Sequence, residues 1–331
     1  MVVAEPAQGG DRSREAAAAN GSNCLPDAVD LVDVAPRDGL QNESAVLDTV
    51  AKLHLIDRLV AAGVRRIEVA SFAHPKRVPS MADAEALCAA LPRQRGVSFS
   101  GLVLNEKGYE RARRAALDEV TMVVVATDSF SEKNQGLTTK EAAEQWCRIA
   151  AMARQDGIRS SVTIAAVFGC PYEGLVPIER IVEVAVAIAA GGPDEIVMAD
   201  TIGVGVPTQV DEIVSLLREA APGVRLRGHF HDTRNTAAAN AVASLRAGVT
   251  ALDASVGGIG GCPFAPGASG NVATEDLVYT LEGMGVATGI DLVELVAIVP
   301  WLERQLGHQA SGHVSKVSAF PRVPSARDCF A

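Results

Sequence analysis

Val224-Arg225-Leu226-Arg227-Gly228-His229-Phe230-His231-Asp232 reads as a β-strand that closes on polar residues. Side chains alternate along a strand, so His229 and His231 point to one face. Two neutral imidazoles facing the same way suit a divalent metal whose shell carboxylates from elsewhere complete. Taken alone, the pair could equally be one core histidine and one solvated histidine. What decides between these readings is the pattern around the strand.

That pattern is an alternation of short β-branched runs with helical stretches. Strands read at 29–34, 66–70, 97–104, 120–126, 160–168, 195–199, 224–231 and 250–254. Helices read at 48–62, 82–91, 106–117, 139–155, 177–190, 207–220, 236–247 and 274–284. In the first of these, Val50, Leu53, Ile56, Leu59 and Val60 form one stripe, and Gly63 follows its end. Eight strands, each followed by a helix, predict an α/β fold of the (β/α)8 TIM-barrel type, with extra C-terminal helices. A doubly wound open sheet is the alternative, but no Gly-rich dinucleotide turn follows the first strand. The expected organisation is a disordered leader (1–26), a catalytic barrel (27–285), C-terminal helices (286–307) and a mobile tail (308–331).

Composition narrows the function. The 331 residues carry a formal charge of −10, which argues against nucleic acid or an anionic membrane as partner. Hydrophobic residues make up 48% and aromatics only 4%, so Ala, Val, Ile and Leu must pack the core. Six cysteines without CxxC pairs indicate neither a zinc knuckle nor a disulfide framework. No apolar run reaches about 18 residues, the length of a membrane span. The leader lacks the apolar centre of a secretory signal, and Glu5, Asp11 and Glu15 are unlike a transit peptide. A cytoplasmic location is the expectation from these missing signals.

In a barrel of this kind, chemistry gathers where strands end and βα loops begin. Arg37, Asp38 and Gln41 follow the first strand, and Glu68 lies inside the second. Asp200 follows the sixth, His229 and His231 end the seventh, and Cys262 and Asn271 sit in or after the Gly-rich loop following the eighth. Polar groups that are costly inside a core therefore all map to one rim. Arg37-Asp38 by itself could be a surface ion pair, and Asp200 could simply cap a helix. Together the set offers a divalent cation site (Asp38, His229, His231, with Asn271 as an oxygen donor), a guanidinium, buried carboxylates and a thiol. Mixed nitrogen and oxygen ligation suits Mg²⁺ or Mn²⁺. A metal beside an arginine is what enolate or alkoxide chemistry requires, because both stabilise negative charge appearing on oxygen.

Pro36-Arg37-Asp38-Gly39-Leu40-Gln41-Asn42-Glu43 resembles the opening motif of the hydroxymethylglutaryl-CoA lyases, TIM barrels of the metal-dependent aldolase and Claisen group. The likeness continues through Ser71-Phe72, Pro75-Lys76, Gly169-Cys170-Pro171-Tyr172-Glu173-Gly174 and Asp200-Thr201-Ile202-Gly203. It ends with Gly258-Ile259-Gly260-Gly261-Cys262-Pro263 and the stretch from Gly267 to Asp276. The resemblance implies that Asp38, His229, His231 and Asn271 bind Mg²⁺ or Mn²⁺, and that Arg37 stabilises a thioester enolate. It implies that Glu68 and Asp200 position the reacting groups, that Cys262 is an acid/base group, and that Arg37, Gln41 and Lys76 meet the substrate. The implied reaction is retro-Claisen cleavage of a 3-hydroxyacyl-CoA, 3-hydroxy-3-methylglutaryl-CoA giving acetyl-CoA and acetoacetate, by a homodimer. Either His229 or Asp200 with a water is open as the base. Departures at Arg77, Leu104 and Thr233-Arg234-Asn235-Thr236 bear on the acyl group, and citramalyl-CoA is the alternative substrate. A non-catalytic CoA-binding barrel and a condensing synthase are the competing classes.

Overall fold

The structure, a computed structural model, describes residues 25–93, 96–261 and 270–318. Eight parallel strands form a closed barrel in sequence order. They are β1 (Asp30–Asp33), β2 (Arg66–Ser71), β3 (Ser98–Val103), β4 (Glu119–Val125), β5 (Arg159–Ala165), β6 (Glu195–Asp200), β7 (Arg225–Phe230) and β8 (Ala251–Ala254). Closure is made by β1 against β8, with Asp30 opposite Ala251 and Asp33 opposite Ala254. That pairing confirms the barrel and rules out the open sheet.

Helices α1 (Thr49–Ala61), α2 (Ala84–Ala89), α3 (Glu106–Arg114), α4 (Asp128–Gln135) and α5 (Thr139–Asp156) serve the first half. They are followed by α6 (Ile178–Ala189), α7 (Pro207–Ala220), α8 (Ala237–Arg246), α9 (Thr274–Gly283), α10 (Leu292–Val296) and α11 (Val299–Leu306). Apart from α4, the inter-strand helices lay apolar residues on strands that are buried on both faces, as parallel strands are. Helix α1 buries Leu55, Ile56 and Leu59 completely, each worth roughly 1.5–3 kcal/mol against exposure. Its N-cap, Asp48, accepts from the Ala51 amide. Helix α5 starts on a capping box between Thr138 and Glu141 and buries Trp146, whose indole donates to the Ile188 carbonyl.

Helix α4 has no counterpart in the sequence reading, because Asp-Ser-Phe-Ser-Glu-Lys-Asn-Gln shows no apolar repeat. It is a short excursion in the fourth βα loop, stopped by Gly136 at φ 75°. Strand β5 ends at Ala165 rather than 168, because Ala166 turns into the left-handed region at φ 60°. No helix among the described residues is long and apolar enough to cross a membrane.

The barrel interior is ionic at its lower layer. Arg66, Glu119, Glu195 and Arg227 point inward and are all buried. Arg66 pairs with Glu195 at 2.7 Å and with Glu119 at 3.2 Å. Burial pushes the Glu195 carboxyl up, but Arg227, Arg66 and Arg225 outweigh it and hold it at about 2. Such a layer is stable only because each charge faces an opposite one.

The leader expectation falls on residues outside those described, apart from Leu25 and Pro26, and Leu25 packs against the core. The described part of the expected tail, 308–318, makes hydrogen bonds to the barrel end. The Ser311 and Gly312 amides donate to the Gly257 carbonyl, and the His313 amide donates to Asp276. His308 and His313, given no role by the sequence, pair with Glu43 and Asp276.

Two buried carboxylates knit this end of the barrel. Asp33 accepts from the Thr274 hydroxyl and from the Ala35 and Val256 amides, and burial raises it to about 6. Glu275 accepts from the Gly257 amide, and burial raises it to about 7. A carboxyl raised in the folded state holds its proton there more tightly than in the unfolded chain. Its stabilising contribution is therefore complete below the unfolded pKa and is lost as pH rises through the folded one. Glu275→Gln should thus gain stability relative to the parent between pH 4.5 and 8, by on the order of 2–3 kcal/mol. Denaturant unfolding of both proteins across that range measures it, and parallel pH profiles contradict it.

Candidate active site

The first loop leaves β1 through a turn of π-helical geometry, Ala35–Gly39, which carries Arg37 and Asp38. Gly39 is needed there, since a Cβ would sit 2.7 Å from Ile259 Cγ1 of the eighth loop. Strand β2 shifts register between Glu68 and Ala70, a bulge of the kind that re-aims a side chain. Glu68 is buried, and its Oε2 accepts from Arg37 Nε at 2.7 Å. Arg37 Nη1 also reaches Asp38 Oδ1 at 2.6 Å. The guanidinium is thus fixed in orientation by two carboxylates.

His229 lies in β7 and His231 just beyond it, with ring centroids 5.1 Å apart. One donor atom from each of Asp38, His229 and His231 lies within 4.8 Å of the others. Burial pushes the Asp38 carboxyl up, yet Arg37 and the two imidazoles hold it well below the usual carboxylate range. His229 Nδ1 meets Asp253 Oδ2 at 3.0 Å, which leaves Nε2 as its free nitrogen. His231 Nδ1 is buried without a hydrogen-bond partner among the described residues. A charged carboxylate, two imidazoles and an unsatisfied ring nitrogen are a donor set that fits a divalent cation.

Asn271 stands beside this cluster, but its Nδ2 donates to Asp38 Oδ2 at 2.8 Å and to the Ile259 carbonyl at 3.1 Å. In this arrangement it steadies Asp38, and acting as an oxygen ligand would require its amide to turn over. The cluster opens on a cavity of about 760 Å³ whose lining includes Arg37, Asp38, Gln41, Glu68, His229 and His231. It also includes Arg77 and Lys107, both exposed.

The sequence-predicted residues Asp200 and Lys76 are not among those lining the cavity. Asp200 does not line the cavity: its two oxygens accept from the Val204 and Gly205 amides, so it shapes the sixth loop. Lys76 is exposed and also absent from the lining, where its neighbour Arg77 takes the place expected for it. Cys262 lies outside the described residues. Sequence reading missed Asp253, which lines the cavity and holds His229. Asp253 breaks an apolar strand just as Glu68 does, which marks it as a buried carboxylate but does not say which residue it meets.

The HMGL-like family model matches residues 28–300. The chain is 44% identical to the (R)-citramalyl-CoA lyase of Chloroflexus aurantiacus, covering 90% of this chain and 98% of that one. It is 41% identical to the hydroxymethylglutaryl-CoA lyase of Pseudomonas mevalonii, over 85% of this chain and 93% of that one. Among solved structures it resembles an HMG-CoA lyase from Acinetobacter baumannii in complex with coenzyme A and 3-methylmalate. There the TM-score is 0.85 at 34% identity, covering 90% of this chain and 98% of that one. The chain belongs to the HMG-CoA lyase family, a family of carbon–carbon lyases built on TIM barrels.

If Asp38 anchors a cation, Asp38→Asn should cut Mn²⁺ affinity by at least an order of magnitude while the barrel still folds. Isothermal titration with circular dichroism as the fold control measures this. Equal affinity in the variant contradicts the assignment.

Proposed function

We propose that the chain cleaves 3-hydroxy-3-methylglutaryl-CoA to acetyl-CoA and acetoacetate, using Mg²⁺ or Mn²⁺ held by Asp38, His229 and His231. The observation that carries this reading is the juxtaposition of that donor cluster with a carboxylate-oriented guanidinium in one cavity. When bound, the cation would supply Lewis acidity to the substrate's oxygens. A base, His229 or Asp200 acting through a water, takes the carbinol proton, the C–C bond breaks, and its electron pair passes into the thioester as an enolate. Arg37 supplies fixed positive charge for that enolate oxygen, and Glu68 keeps the guanidinium from swinging away. Protonation of the enolate carbon completes acetyl-CoA, and the family motif makes Cys262 an acid/base group for that step. Exposed Arg77 and Lys107 on the cavity lining suit an anionic acyl-CoA entering a chain of net negative charge.

The relative from Chloroflexus favours a second reading, cleavage of citramalyl-CoA to acetyl-CoA and pyruvate. The two substrates share the tertiary carbinol β to the thioester and differ by one methylene before the carboxylate. One methylene is worth about 1–3 kcal/mol in discrimination, so the two kcat/KM values decide between them.

Acetyl-CoA release from each thioester, with EDTA and with restored Mg²⁺, is the test. Activity that needs the metal supports the proposal, and activity indifferent to chelation overturns it. Arg37→Gln should lower kcat roughly 10²–10³-fold with the fold intact. Turnover unchanged in Cys262→Ala would remove the thiol from the mechanism.

A further inference from the structure

The geometry points to Asp253 as a positioning residue for the cation site, itself oriented by Arg227 from inside the barrel. Strand register places His229 directly opposite Asp253 on β8. Side chains at paired positions share a face, and here that face is the barrel interior. Asp253 is 7% exposed and Arg227 4%. Asp253 Oδ2 lies 3.0 Å from His229 Nδ1, and its Oδ1 lies 3.4 Å from Arg227 Nη1. Arg227 is fixed in turn by Glu195 at 3.1 Å and Glu119 at 3.6 Å. The ionic layer at the bottom of the barrel therefore continues upward, charge by charge, to the imidazole.

The chemical consequence concerns which ring nitrogen of His229 carries a proton. A carboxylate only accepts, so Nδ1 facing Asp253 must be the N–H, and Nε2 is left with a lone pair for a cation. A ligating histidine oriented in this way has a fixed ring and a more basic donor atom. Arg227 adds an electrostatic constraint, because its guanidinium lies 3.4 Å from Asp253 Oδ1 as an ion pair and repels a donor NH₂ placed there. Its partner at position 253 must therefore turn an oxygen toward Arg227.

That constraint makes Asp253→Asn an informative variant. Arg227 makes no hydrogen bond to Asp253 Oδ1, but its positive charge at 3.4 Å favours an oxygen over an NH₂ on that side, so the Asn NH₂ is turned toward His229 and requires Nδ1 to accept. The ring proton then moves to Nε2, the atom the cation needs free. The volume hardly changes, so the packing of the layer is preserved.

This inference rests on the proposed cation site, and the experiment separates the two. Nitrogen-15 histidine spectra of the metal-free protein at pH 8.5 should show His229 Nδ1 protonated in the parent and unprotonated in Asp253→Asn. Mn²⁺ titration should show a 10–100-fold loss of affinity in the variant. A parent that takes up no Mn²⁺ sinks the cation site, while the spectra still decide the role of Asp253. An unprotonated Nδ1 in the parent overturns the inference, and so does a folded variant that binds Mn²⁺ within twofold of it. If the variant does not fold, the parent's spectrum alone decides the matter.

Discussion

The Asp38 carboxylate sits against the Arg37 guanidinium at 2.6 Å, with the His231 imidazole 3.8 Å away on its other oxygen. Arg37 and His231 both face that carboxylate, so its charge bears directly on how they are held. With the charge in place, the two imidazoles have an anion to share a cation with, and Arg37 has a partner that keeps it in the cavity. Burial works against the charge, and the guanidinium and imidazoles overcome it. A divalent cation held by Asp38, His229 and His231, as proposed, would add to the guanidinium and imidazoles in stabilising this buried anion.

The barrel makes this possible by closing. Closure brings Asp38 of the first loop beside His229 and His231 of the seventh strand and its end, and beside Asn271 after the eighth. It also turns Arg66, Glu119, Glu195 and Arg227 toward one axis, filling the interior with paired charges rather than side-chain hydrocarbon. An ionic layer of paired charges beneath the Asp38, His229 and His231 cluster would hold the ligands of the proposed cation site to one geometry. The C-terminal stretch reinforces the same end, since Ser311 and Gly312 bond the backbone at Gly257, where the eighth loop leaves its strand.

Much of this is legible in the amino-acid sequence. The alternation of β-branched runs and helical stripes specifies the barrel, because hydrophobic period and loop length are local properties. His229 and His231 are readable because a period of two puts them on one face, and Glu68 because a carboxylate between Ile67 and Val69 needs a partner. What is not legible depends on neighbours across the barrel. Asp253 belongs to His229 only through strand register, which a single sequence does not state. Asp200 follows a strand end, and the sequence does not show that the Val204 and Gly205 amides hold its two oxygens, which only the folded sixth loop brings to it. Lys76 and Arg77 are adjacent cations, and only the course of the second loop decides which one faces the cavity. Helix α4 escapes the sequence because its stability comes from its place in the fold and not from its composition.

Whether Asp38, His229 and His231 hold one cation is decided by anomalous diffraction from a crystal soaked in Mn²⁺. A single strong peak is expected at about 2.0–2.3 Å from one atom of each residue, with Arg37 alongside. A peak elsewhere, or a well-ordered site in which the three side chains stay apart and no manganese binds, would contradict this assignment.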